Sequence, residues 1–229
     1  MNHPPTTLVR AQDTHRLIPS KYSARGESVL VRIAASDEDL AALFDLDGAT
    51  NDRLLGQIDL LPGVDARELV FGVPYASIVN AAFCHAHPLG SRFNGPDRGA
   101  WYAARALRTA QAEIIFHKTV ALAEIGRFED SVTYDDYLAD ISAELHDVTD
   151  RAAWAEVLAP DSYVASQHLA AELLEAGSLG LTYPSVRDRR GTCYALFRPV
   201  LVGHVRKGAT LRFTWDGSPR PAITEEAAP

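Results

Sequence analysis

At 229 residues, with 22 Lys and Arg against 30 Asp and Glu for a formal charge of -8, the chain is long enough to bury a full core. It lacks the net basic footprint of a nucleic-acid binder. A hydrophobic share of 47% and a charged share of 23% exclude a disordered chain. No stretch approaches the roughly eighteen apolar residues of a membrane span, and the N-terminus shows no charged-then-apolar leader, so a cytoplasmic protein is expected. Cys84 and Cys193 each lie in an apolar, strand-like run and read as small core residues of a reducing compartment.

In chain order, residues 1–14 read as a mobile tail, followed by His15 to Pro19 and a strand over Val29 to Ile33. Ser36 offers a helix N-cap ahead of Asp37, Glu38 and Asp39, whose carboxylates suit the positive end of a helix dipole. That helix should stop near Asp47-Gly48, and a second helical piece spans Asp52 to Leu60. Ser77 to Phe83 reads as a strand leading into a glycine-rich loop, Gly90 to Gly99. Trp101 to Ala104 suits a strand end. Leu107, Ala110, Ile114, His117 and Ala121 then recur at three- and four-residue steps, which predicts a helix up to Glu124.

Tyr137, Ala139, Ile141, Ala143 and Leu145 alternate with mostly polar neighbours, the strongest strand signal in the chain. Helices are expected over Asp150 to Leu158 and Ser162 to Ala176, the latter stopped by Gly177. Strands follow over Leu179 to Arg187, Thr192 to Phe197 and Thr210 to Trp215, and the segment 218–229 reads as a flexible tail. Strands and helices mix without regular alternation, so the expected class is α+β. One domain over 15–217, with an N-terminal helical elaboration at about 37–74, accounts for the pattern.

Three groups stand out along the middle of the chain: Arg92 in the glycine-rich loop, Tyr102 in the short strand, and Glu113 on the margin of the following helix's apolar face. An arginine, an aromatic and a carboxylate can together bind and polarise an anionic, aromatic-bearing small molecule. Composition and spacing do not name it. His85 and His87 lack a third ligand at characteristic spacing, and Asp135-Asp136 and Asp37 to Asp39 read as a turn and a cap, so no metal is expected. A Gly-x-Gly-x-x-Gly turn after a strand is missing, which argues against a Rossmann-type redox cofactor.

The order of His15 to Ile18, Val73-Pro74, Asn80 to Phe83, Gly90 to Asn94, Tyr102 to Ala104, Ala112-Glu113, His117, Tyr163 with Ser166-Gln167, Gly180 to Arg187, Leu196 to Pro199 and Trp215 to Gly217 resembles the RES-domain family. The spacing of ten residues from Arg92 to Tyr102 and eleven to Glu113 makes the resemblance specific. The family is known as the toxin half of bacterial toxin–antitoxin pairs whose antitoxin is an Xre-like helix-turn-helix protein. Its fold is similar to the ADP-ribosyltransferase toxins, which implies a mixed sheet core with surrounding helices. Members consume NAD+ as a substrate, with water, phosphate or a protein as acceptor of the ADP-ribose.

By this resemblance the family's arginine, tyrosine, glutamate and serine fall on Arg92, Tyr102, Glu113 and Ser185, with Arg16 a further NAD+-binding candidate. Cleavage between ribose and nicotinamide passes through a sugar cation, and the leaving group needs no protonation. A carboxylate near the anomeric carbon stabilises charge that grows only in the transition state, which assigns Glu113 to catalysis. Arg92 would pair with diphosphate or ribose, Tyr102 would offer a flat face to nicotinamide, and Ser185 would hold the nicotinamide amide or a ribose hydroxyl.

Blander alternatives stay open. Glu113 can be a solvated helix glutamate paired with His117, and Arg92 can pin its own loop to backbone carbonyls. Tyr102 can be a core edge and Ser185 a turn serine capping backbone groups. No Gly-x-Ser-x-Gly elbow surrounds Ser185, so it does not read as a nucleophile. The second class of function is a non-catalytic nucleotide- or antitoxin-binding module, and the segment from Asp37 to Pro74 is a candidate surface for an antitoxin or a protein acceptor.

Overall fold

The computed structural model describes residues 3–23 and 63–227. The expected strand at Val29 to Ile33 and the helices beginning at Ser36 and Asp52 lie outside the described residues. Strand β1 (Thr6–Pro19) runs into a single turn, α1 (Ser20–Ser23). After 63 come a 3₁₀ turn (Ala66–Glu68), α2 (Ala76–Cys84), β2 (Trp101–Ala104), α3 (Leu107–Glu124), β3 (Glu129–Asp147) and α4 (Val164–Glu175). The chain closes with β4 (Gly180–Pro184), β5 (Thr192–Leu196), a second 3₁₀ turn (Pro199–Leu201), β6 (Gly203–Asp216) and β7 (Ala222–Glu225).

The seven strands form one mixed sheet in the order β1-β2-β5-β4-β3-β6-β7, and β1 also pairs with β3. The β3–β4 pair runs parallel and the remaining pairs antiparallel. Because β1 touches both β2 and β3, the pairings β1-β2-β5-β4-β3-β1 close into a ring, with β6 and β7 continuing outward from β3. The expected α+β class with a mixed sheet is what the chain adopts.

The period of two along each strand divides the core into two clusters. Tyr137, Ala139, Ile141, Ala143 and Leu145 of β3 join Trp101, Ala103, Tyr194 and Leu196 beneath α2. Ser142 and Glu144 point to water, as the alternation predicts. Ala104, Leu181, Tyr183, Cys193 and Ala195 take the other side with Leu169 and Leu173 of α4, and Tyr102, Leu107 and Ile114 pack against them. Tyr102 therefore shares a face with Tyr183 and Cys193, because one residue's shift along β2 would turn it to the opposite side.

Several expectations are corrected. Ser77 to Phe83 is helical: Ile78, Val79 and Phe83 are buried at helical spacing, and Asn80 exchanges two hydrogen bonds with Val70, accepting from its N–H at 3.0 Å and donating to its carbonyl at 2.8 Å. A short apolar run has no periodicity that separates the two states. Cys84 accordingly ends a helix, and both cysteines are free thiols. Thr6 to Thr14, read as tail, belongs to β1 and pairs with β3 from Thr6↔His146 to Pro19↔Tyr134. Ala222–Glu225, also read as tail, pairs with β6. Asp150 to Leu158 forms successive turns, with Asp150 Oδ1 accepting from the N–H groups of Ala152 and Ala153. Asp135 and Asp136 are no turn; both are buried within β3, at 2% and 3% exposure.

Candidate active site

The glycine-rich loop after α2 is held by its own tight geometry. Gly90 sits at φ +69°, and a Cβ there would lie 2.2 Å from the Asn94 carbonyl oxygen and 2.8 Å from Gln167 Nε2, so a side chain has no room. Gln167 of α4 donates from Nε2 to the carbonyls of Leu89 and Ser91, at 3.0 Å each. Tyr102 completes the loop's support: its hydroxyl donates to Asn94 Oδ1 and accepts from the Phe93 N–H, both at 2.8 Å. Burial drives its phenol well above the ordinary range, so the hydroxyl keeps its proton.

Arg92 leaves this loop buried, at 7% exposure. Its Nη1 donates to the carbonyls of Val157 at 3.2 Å and Ala159 at 2.8 Å, and its guanidinium lies 4.7 Å from the Tyr163 ring centroid. The loop-pinning alternative is thus realised for one nitrogen of the fork. Nε and Nη2 have no acceptor among the described residues. Arg16 of β1 stacks 4.8 Å from the Trp101 ring centroid and donates from Nη1 to the Tyr102 carbonyl at 3.2 Å, while its buried Nε has no partner among the described residues. Desolvation lowers Arg16 to about 10, so it remains a cation at neutral pH.

Glu113 meets the loop after β4. Its Oε1 accepts from Ser185 Oγ at 2.6 Å, across 72 residues of sequence. The fully buried Ser185 hydroxyl also accepts from the N–H groups of Arg187 at 3.1 Å and Asp188 at 2.8 Å. Its capacity is used: one proton for Glu113 and two lone pairs for the turn. The capping alternative for Ser185 and a contact with the candidate carboxylate are therefore both true. One turn earlier on α3, Thr109 Oγ1 donates to Asp188 Oδ2 at 2.7 Å, so helix and loop are fastened at two successive turns of one face. Arg151 Nη2 donates to the Ser185 carbonyl at 2.6 Å.

Tyr183 and Cys193, paired in register on β4 and β5, lie between these groups. Burial raises the Tyr183 phenol and the Cys193 thiol far above their ordinary values, and the Glu113 carboxylate adds to both shifts. His117 makes no hydrogen bond to Glu113 among the described residues. Partial desolvation lowers its imidazole, Glu113 opposes that, and the charges of Arg187, Arg92 and His87 reinforce it. A separate depression of about 750 Å³ across the sheet, bordered by Arg10, Arg105, Ile141 and His204, contains none of the five candidates.

Arg92, Tyr102, Glu113 and Ser185 thus gather on one face of the sheet, beneath α3 and beside α4, with Arg16 behind Tyr102. The model of the RES domain matches residues 69–216. The chain belongs to the RES-domain family. In this RES domain the match spans the loop, β2, α3 and the strands that build the site. Among solved structures, the Mycobacterium tuberculosis MbcT–MbcA toxin–antitoxin complex is similar at 14% identity and a TM-score of 0.43, covering 59% of this chain and 75% of that one. No curated protein matches. None of the described helices is long and apolar enough to cross a membrane.

Sequence reasoning gave no role to Tyr163, Arg187, Arg151 and Asn94. Tyr163 and Arg187 lie within words of the resemblance, and an arginine two residues after Ser185 was the available signal. Asn94 acts through the Tyr102 hydroxyl and Arg151 through the Ser185 carbonyl, partners that no spacing encodes.

Proposed function

We propose that this RES-domain chain is the toxin half of a bacterial toxin–antitoxin pair and cleaves NAD+ at the nicotinamide–ribose bond. The observation that carries the reading is the 2.6 Å Ser185–Glu113 hydrogen bond. Around it, arginines 16, 92, 151 and 187 bond to backbone carbonyls and, among the described residues, pair with no carboxylate. Such a group of cations on a chain of charge -8 suits a substrate that is anionic at its diphosphate and cationic at its reacting ring.

Glu113 stabilises the sugar cation as the bond to nicotinamide breaks and its electron pair leaves on the ring nitrogen. Ser185 orients that carboxylate by donating a hydrogen bond to it, a positioning role beside the contact with the nicotinamide amide or a ribose hydroxyl expected from sequence. Arg92 offers Nε and Nη2 to the anionic part of NAD+, and Tyr102 holds the Arg92 loop in place while offering its ring face to nicotinamide. Arg16 supplies positive charge behind it. The acceptor, whether water, phosphate or a protein side chain, forms the new bond to the sugar and gives up a proton. An Xre-like antitoxin is the proposed partner and the cytoplasm the proposed site of action.

The test is incubation of the purified chain with NAD+ and a bacterial lysate, following free nicotinamide and every ADP-ribosyl product. Wild type should release nicotinamide and Glu113→Gln should not. Absence of nicotinamide from folded, antitoxin-free wild type overturns the reading in favour of a nucleotide- or antitoxin-binding module.

A further inference from the structure

Arg187 is half-buried, and among the described residues it has no carboxylate partner. Its guanidinium carbon lies 3.2 Å from the centroid of the Phe116 ring, and its Nη2 donates to the Pro160 carbonyl at 2.6 Å. Phe116 follows Glu113 by three residues on α3, so this cation is set within one helical turn of the candidate carboxylate. Arg92 reaches the same strap, bonding the carbonyls of Val157 and Ala159. Two guanidiniums from separate loops, one before β2 and one after β4, therefore converge on residues 157–160.

A cation removed from water without an opposite charge is unfavourable, and a ring face with one neutral carbonyl offsets only part of that. Arginine carries five N–H donors in a rigid fork, and the strap engages one from Arg187. The rest match the spacing of phosphate oxygens, and charge-assisted bonds to phosphate are stronger than those to a carbonyl. The Phe116 face and the Pro160 carbonyl hold the fork still in advance, which reduces the ordering needed when an anion arrives.

We propose that Arg187, together with Arg92, forms the diphosphate-binding fork of this site and selects substrates that carry a diphosphate beside the reacting ribose. The assignment of the reacting ribose rests on the NAD+-cleavage reading; the anion site itself does not. Arg187 is a binding and specificity residue, held by Phe116 and Pro160 next to Glu113.

The experiment compares wild type with Arg187→Gln, which keeps an N–H for Pro160 but no charge, and with Arg187→Lys, which keeps the charge but no fork. ADP binding is measured by calorimetry at low and high salt, and nicotinamide release is measured from NAD+ and from nicotinamide riboside, which lacks the diphosphate. Arg187→Gln should weaken ADP binding about tenfold to a hundredfold and flatten its salt dependence. Arg187→Lys should fall between, and the preference for NAD+ over the riboside should shrink in the same order. ADP bound equally by wild type and Arg187→Gln overturns the proposal, as does a wild type that binds no ADP. Arg187-dependent ADP binding without nicotinamide release from any substrate supports the diphosphate site and removes the NAD+-cleavage reading instead.

Discussion

Arginine does different work in two regions of this molecule. Where the 63–70 segment meets the sheet, Arg98 and Arg198 both bond Glu68, and Arg98 adds the carbonyls of Gly63 and Phe197. Charge meets charge in that cluster: the two hydrogen-bonded guanidiniums, Arg98's first, hold Glu68 down at about 2 against its ordinary 4.5. On the Glu113 side, Arg16, Arg92 and Arg187 rest on carbonyls and aromatic rings. Charges matched within the chain fasten the fold, and charges matched only by neutral dipoles are available to a ligand.

Glu68→Ala should break the first region most. It leaves the 10%-exposed Arg98 without its carboxylate and should destabilise by about 3 kcal/mol, the lower end for a broken buried ion pair, since Glu68 keeps 21% exposure. Because the folded-state pKa is depressed, this contribution is present above about 4.5 and lost as pH falls toward about 2. Urea unfolding at pH 7 and pH 3 should show the variant's deficit shrinking in acid, with a deficit equal at both pH values refuting the assignment.

Glu113→Gln should do the reverse, leaving the unfolding midpoint close to wild type and lowering nicotinamide release on the order of 10²- to 10³-fold. A variant that unfolds early with turnover intact would move Glu113 into the fastening class. Tyr102→Phe lies between the regions. It removes the hydroxyl that joins Phe93 N–H to Asn94, and Phe93 is 1% exposed, so a loss of about 1–3 kcal/mol is expected with reduced turnover. Unchanged hydrogen exchange across 91–95 would show that the loop does not depend on it. Arg212→Ala, cutting a pair with Glu226 that is 42% and 35% exposed, should leave the thermal midpoint unmoved. A clear drop would mean that β7 is fastened by charge and not by its backbone pairing with β6.

How much of this was legible in the sequence follows from where each signal is stored. The alternation Tyr137 to Leu145, the helical spacing of Leu107, Ala110 and Ile114, and the Gly177 stop at φ +81° are local, and each element formed as read. The expected identity of the site residues came through resemblance, and of them Arg92, Tyr102, Glu113 and Ser185 lie on one face. Partner choice was not legible. Nothing near Arg92 in sequence says that its fork meets carbonyls 65 and 67 residues away, or that Ser185 spends its proton on Glu113.

The sequence by itself determined the class, the strand faces and the helix that carries Glu113, because hydrophobic period is a property of neighbouring residues. Only the tertiary structure decided that Thr6–Pro19 and Ala222–Glu225 are strands and that Ala76–Cys84 is a helix. Strands of mixed composition acquire their state from the backbone hydrogen bonds of a partner, here β3 and β6, and a short apolar run takes the geometry of the surface it covers. The same reason applies to the charges: whether an arginine is a fastener or a ligand depends on which oxygen, carboxylate or carbonyl, the fold brings to it.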